Sequence, residues 1–150
     1  MSQEEELELF RQFRSVQQRN SYFLLAAAGA AMAFSMTQTK AEPLIWPHAL
    51  WVLSVSAWAW SFYSGLQFIE HAGSALFQNH NYLVLKRLIS GMPPDKAGVE
   101  MKDLKERFDT TLGRHDRKMK IHGDLQKYML LAGAVTYFLW HALEMYIAKV

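Results

Sequence analysis

Cysteine is missing altogether from the 150 residues. Disulfides, iron–sulfur clusters, thiolate zinc sites and a cysteine nucleophile are thereby excluded, and redox chemistry says nothing about the compartment. Proline is scarce: four residues, at Pro43, Pro47, Pro93 and Pro94. Long stretches therefore contain nothing that forces a helix to stop. Net charge is only +2, which does not by itself argue for nucleic acid as a partner. The sequence also has no phosphate-cradling glycine loop, no G-x-S-x-G, no H-E-x-x-H, and no shielded carboxylate pair on one helix face. No catalytic residue is assigned, and a non-enzymatic role is the expectation.

What is present is a partition. Mean hydropathy is close to zero, yet the apolar residues are gathered into three blocks with the charges between them. The blocks are residues 21–37, 43–69 and 128–148. A membrane-crossing helix needs roughly 17–25 mostly apolar residues. The second and third blocks satisfy this easily, and the first is marginal in length. Three transmembrane helices are the expectation. The alternative, core helices of a soluble bundle, would have to hide Trp46, Trp51, Trp58, Trp60 and Trp140 with little else to cover them. The first block does not read as a cleavable signal, because Glu4, Glu5, Glu6 and Glu8 stand where a short basic region belongs.

Basic residues orient the spans. Arg11, Arg14 and Arg19 precede the first block, and eleven Lys or Arg lie between residues 71 and 127. The 38–42 loop has only Lys40, and the far C-terminus only Lys149. The positive-inside rule places residues 1–20 and 70–127 in the cytoplasm and the C-terminus outside, in a multi-pass inner-membrane topology.

Secondary structure reads as helix nearly throughout, an all-α protein. Residues 1–20 form an amphipathic helix with Leu7, Leu9, Phe10, Phe13 and Val16 and an acidic start. Pro47 suits the first turn of a second long helix. The next break is the turn at 90–98, "SGMPPDKAG", and a third helix runs from about Val99 to the end. Residues 70–127 are thus an antiparallel cytoplasmic hairpin. Leu104, Phe108, Thr111, His115, His122, Leu125 and Met129 recur at helical spacing on the returning arm. Leu76, Leu83, Val84, Leu85, Leu88 and Ile89 supply the opposing apolar surface. Counting back from Pro93-Pro94 brings Leu85 near Leu104, and His71 level with residues 115–122.

Polar residues at the edges of the blocks are the candidate sites. Glu70, His71, His115 and His122 form a juxtamembrane cluster. It is either an interfacial polar group, with Glu70 pairing Lys127 or Arg19, or a divalent-metal site of nitrogen and oxygen ligands. No Glu-x-x-His or His-x-x-x-His element supports the metal reading. Within the blocks, His141 and Glu144 share one face of the third span, and His48 lies at the outer end of the second. They could line a pore, relay a proton, or, as His48 with His141, ligate a haem b. No cofactor is the leading expectation; haem and a divalent metal are the alternatives. Gly65, Gly73 and Gly123 mark either close helix contact or a hinge, each costing roughly 1 kcal/mol against alanine in a helix. Small residues, "AAAGAA" at 26–31, Ala57, Ser61 and Gly65, and Gly133, suggest packing between helices or copies.

One short pattern has a different resonance. Arg117 and His122 stand in an Arg-x4-His spacing that resembles the active-site motif of HEPN ribonucleases, all-helical dimers; that resemblance would imply RNA as a partner. The basic residues around it, Arg114, Arg117, Lys118 and Lys120, suit anionic lipid headgroups as well. The expected function is a small oligomeric membrane assembly, pore-forming, membrane-perturbing or scaffolding, whose hairpin receives a partner or signal. Its partners are the lipid bilayer and either further copies or a larger membrane complex. The alternative is a haem- or metal-bearing subunit of a redox complex.

Overall fold

A computed structural model describes residues 3–38, 46 and 48–147, with the side chains of 3–11, 13, 14 and 94–96 left aside. These residues form three α-helices and no strand: α1 (Gln3–Gln38), α2 (His48–Ser90) and α3 (Pro94–Ile147). The scarcity of proline is the cause. α2 and α3 run for 43 and 54 residues without an internal proline after the first position. Pro43, Pro47, Lys40 and Lys149 lie outside the described residues.

The turn between α2 and α3 is tighter than its composition suggests. Gly91 N donates to Leu88 O (3.2 Å) and Met92 N to Ile89 O (3.0 Å), which closes α2. Arg87 in the last turn offsets the negative helix end. Ala97 N already donates to Pro93 O at 3.0 Å, so α3 begins at Pro94 instead of Val99. Proline is favourable at the first helical position, where no N–H is needed. Gly98 is simply absorbed into the helix.

The chain divides into two units: residues 1–66 with 122–150, and residues 67–121. The second unit is the helical hairpin. Tyr82 stacks on Phe108 with ring centroids 4.3 Å apart, and Leu85 and Leu104 line one groove. Its seam on α2 is narrower than expected. Ala75 and Ile89 are buried, whereas Leu76, Leu83, Val84 and Leu88 are 42–61 % exposed. The reason is geometric. Apolar residues at 83–85 and 88–89 wrap most of the helix, and positions seven apart, Ala75, Tyr82 and Ile89, return to the α3 side.

In the first unit α1, the start of α2 and the end of α3 pack around a seam with the same sevenfold spacing. α1 contributes Ser21, Ala28 and Ser35; α2 contributes Ser54 and Ser61; α3 contributes Gln126, Gly133 and Trp140. All are buried. Among its described residues this unit buries more polar side chains than apolar ones: Ser21, Ser35, His48, Ser54, Ser61, Ser64 and Gln126 against Leu25, Ala28, Trp58 and Trp140. Phe23, Leu53, Leu131, Phe138 and Tyr146 are more than half exposed. Of the three expected spans, one helix among the described residues, α3 over Ala97–Ile147, is long and apolar enough to cross a membrane. α2 is diluted by its tryptophans and serines, and α1 by the polar residues at both ends of its apolar run.

Candidate functional site

The polar seam of the first unit is built around Gln126. Its side chain is 1 % exposed, and three helices meet on it. From α2, Ser61 Oγ donates to the Gln126 carbonyl at 2.7 Å. Toward α1, Gln126 Nε2 donates to the Ser21 carbonyl at 3.5 Å, a long bond. Gly65 makes room for it: a Cβ there would lie 2.8 Å from Leu25 Cδ2 and closer still to the Gln126 amide. Serine suits such a seam because its hydroxyl can return to its own helix, as Ser21 Oγ does to Gln17 O (3.0 Å) and Ser35 Oγ to Met32 O (2.9 Å).

Two indoles tie the helices further along. Trp58 Nε1 donates to Leu130 O at 3.2 Å, and Trp51 Nε1 to Ser35 O at 3.3 Å. The Trp58 ring lies flush on Gly133, where a Cβ would stand 2.5 Å from Cδ1 and Nε1. Tyr137 bridges Trp58 and Trp140, with centroids at 5.6 and 5.3 Å.

At the far end of the seam His48 Nε2 lies 4.0 Å from Glu144 Oε1, with the imidazole largely buried. An imidazole beside a carboxylate can hold or pass a proton. His141 lies one turn before Glu144 on α3. It is exposed, with its ring parallel to Tyr137 at 6.5 Å. The structure thus brings His48 and Glu144 together.

In the hairpin unit His71 and His115 meet, ring centroids 5.6 Å apart, while Glu70 is exposed. His122 is half-buried and belongs to the first unit. Among the described residues no group of three or more His, Asp or Glu side chains converges as a metal site. Lys127, expected opposite Glu70, has its ion pair with Asp124 on its own helix at 3.7 Å. Gly73 has nothing within 4 Å of an added Cβ, so close contact does not explain it; Gly123 is half-buried.

Of this seam, the small-residue pattern marks Ser61, Gly65 and Gly133, while Gln126, Ser21, Ser35 and Ser54 escape it. Gln126 looked like one polar residue before an apolar block. The available signal was spacing: Ser, Gly, Ala and Gln recurring every seventh position inside otherwise apolar runs. No family model, curated protein or solved structure matches this chain.

Proposed function

We propose that the protein is a small three-span integral membrane protein, a close-packed scaffolding assembly whose cytoplasmic hairpin receives a partner. The observation that carries this reading is the reversed polarity of the first unit. Serines and Gln126 are inside, and the large apolar side chains are outside. In water this arrangement wastes the dominant folding force. In lipid it is the expected one, because small and polar residues make the helix contacts and the apolar ones face the tails. Only 11 % of the most apolar stretch of α3 is buried, unlike the core helix of a soluble bundle.

Aromatic residues give the span a length. Tyr22, Tyr63 and Tyr128, 50–69 % exposed, stand at the Gln126 end of the unit; Trp46 and Tyr146, about 70 % exposed, stand at the His48–Glu144 end. From Tyr128 to Tyr146 a helix rises about 27 Å at 1.5 Å per residue. That matches a hydrocarbon core of roughly 30 Å bounded by aromatic belts. Arg19 and Lys127, both exposed, flank the Tyr22–Tyr128 end, as a cytoplasmic face requires.

A scaffold is favoured over a pore within one chain because Trp58, Trp140 and Gln126 fill the seam. Carbonate washing of vesicles tests the membrane reading: the chain is expected in the pellet, and release as a dissolved monomer would refute it. Reconstitution into dye-loaded liposomes tests the scaffold: no leakage is expected, and leakage abolished by Glu144→Ala would establish a pore instead.

A further inference from the structure

His71 and His115 come from the two arms of the hairpin, and both belong to the 67–121 unit. Their ring centroids are 5.6 Å apart and their planes are inclined at 58°. Both residues are half-buried. His115 Nδ1 is closed to solvent and has no hydrogen-bond partner. A buried ring nitrogen left in this state costs stability, and an ordinary packed pair of rings gives no return for it.

The separation of the rings suits a shared ion. An imidazole nitrogen lies about 2.0–2.1 Å from zinc, and the centre of its ring about 1.1 Å further along the same line. With about 110–120° between the two bonds, the ring centres stand about 5–6 Å apart. A bridging water needs about 2.9 Å on each side and would hold the centres about 6.5 Å apart. Imidazole nitrogens select zinc, copper or nickel over magnesium and calcium, which take oxygen ligands. The chain has no cysteine to compete for such an ion. Glu70 and Asp116, next in sequence to the two histidines, are exposed; so are Arg114, Arg117 and Lys118, and salt screens their repulsion of a cation.

The geometry points to a two-histidine site, His71 with His115, for a divalent transition ion of the zinc and copper class. Two protein ligands leave the remaining coordination positions to water, so the ion exchanges more readily than one in a closed structural site. The ligands come from separate arms, so the ion binds the closed hairpin and not the open one. It therefore holds the arms together by mass action. The site needs only the hairpin and is independent of the membrane reading.

The test uses the full chain, purified in mild detergent and stripped with a chelator. Zn²⁺, Cu²⁺ and Mg²⁺ are titrated in by calorimetry. Saturable binding of zinc and copper is expected, and none of magnesium. In the proton spectrum the imidazole signals of His71 and His115 should shift with zinc, while those of His80 and His141, both exposed, stay in place. His71→Gln and His115→Gln should each weaken binding by at least about tenfold, and His80→Gln should leave it unchanged. Zinc should slow amide exchange in the hairpin of the parent chain and in neither of the first two variants. Circular dichroism checks that the variants fold; should one fail, the imidazole signals of the parent chain decide. No saturable binding, binding indifferent to both His71→Gln and His115→Gln, or shifts confined to other histidines overturns the inference.

Discussion

Gly133→Ala and Gly73→Ala should move stability in opposite directions. At Gly133 a new Cβ would stand 2.5 Å from Trp58 Cδ1 and Nε1, where ordinary contact begins near 3.4 Å. The indole must retreat by about 1 Å. It has little room, since Trp58 is 4 % exposed and packed on Tyr137. Overpacking of this kind costs about 1–3 kcal/mol. Retreat also lengthens the 3.2 Å bond from Nε1 to Leu130 O, worth about 0.5–1.5 kcal/mol. Alanine returns about 1 kcal/mol of helix propensity. The net expectation is a loss of about 1–3 kcal/mol. Gly73 meets nothing within 4 Å, so only the propensity gain remains, about 0.5–1 kcal/mol of stabilisation of the hairpin. Thermal and dodecyl-sulfate unfolding in mixed micelles, followed by far-ultraviolet circular dichroism, measures both. Trp58→Phe, which removes the five-membered ring edge, should relieve much of the Gly133→Ala cost in a double-mutant cycle. A Gly133→Ala protein as stable as the parent, or a cost unaffected by Trp58→Phe, would refute the close approach of α2 and α3 at this level.

Gln126→Leu keeps the volume and removes the donor to Ser21 O; a loss of about 0.5–2 kcal/mol is expected in the same titration, and a gain would show that the polar node carries no stabilising contact. Phe108→Ala removes the stack on Tyr82 and should cost about 1–3 kcal/mol in the hairpin, read as faster protease cleavage around Gly91–Pro93 while the first unit is unaffected. Glu144→Ala should change stability by less than about 1 kcal/mol, because its 4.0 Å contact with His48 is long and the carboxylate more than a third exposed; a larger loss would mean the pair is tighter than its geometry implies.

The helices and the hairpin register could be read from the sequence because both follow from backbone chemistry. Four prolines leave few places to stop, and counting from Pro93-Pro94 puts Leu85 and Leu104 on the same groove. The seam could be read only in part, through the small residues Ser61, Gly65 and Gly133, because hydrophobic periodicity looks for large apolar residues and the rest of the seam consists of what they surround. Ser21, Ser54 and Gln126 register as interruptions of an apolar run, although they belong to its organising face. The same blindness misassigned Leu76, Val84 and Leu88 to the inside of the hairpin. Ionisable residues were easy to notice and hard to group. His71 and His115 meet across the hairpin, and His48 lies 4.0 Å from Glu144, pairs that only the packing singles out.

The solvent around the first unit decides how all of these contacts are weighed, and one outward residue can report it. Phe138 is 72 % exposed and lies near the middle of the stretch between Tyr128 and Tyr146. On a water-soluble bundle Phe138→Lys would be a surface change within about 0.5 kcal/mol of neutral, and would improve solubility. At the centre of a bilayer a lysine costs about 2.5–3.5 kcal/mol on insertion scales, reduced when the side chain snorkels. On the membrane reading Phe138→Lys should therefore lower insertion and accumulation sharply, while Thr110→Lys on the exposed charged arm of α3 should not. Both substitutions leave the seam untouched, so a difference between them reports the surroundings and not the packing. If Phe138→Lys accumulates and assembles like Thr110→Lys, the apolar exterior faces something other than lipid, and the polar interior needs another explanation.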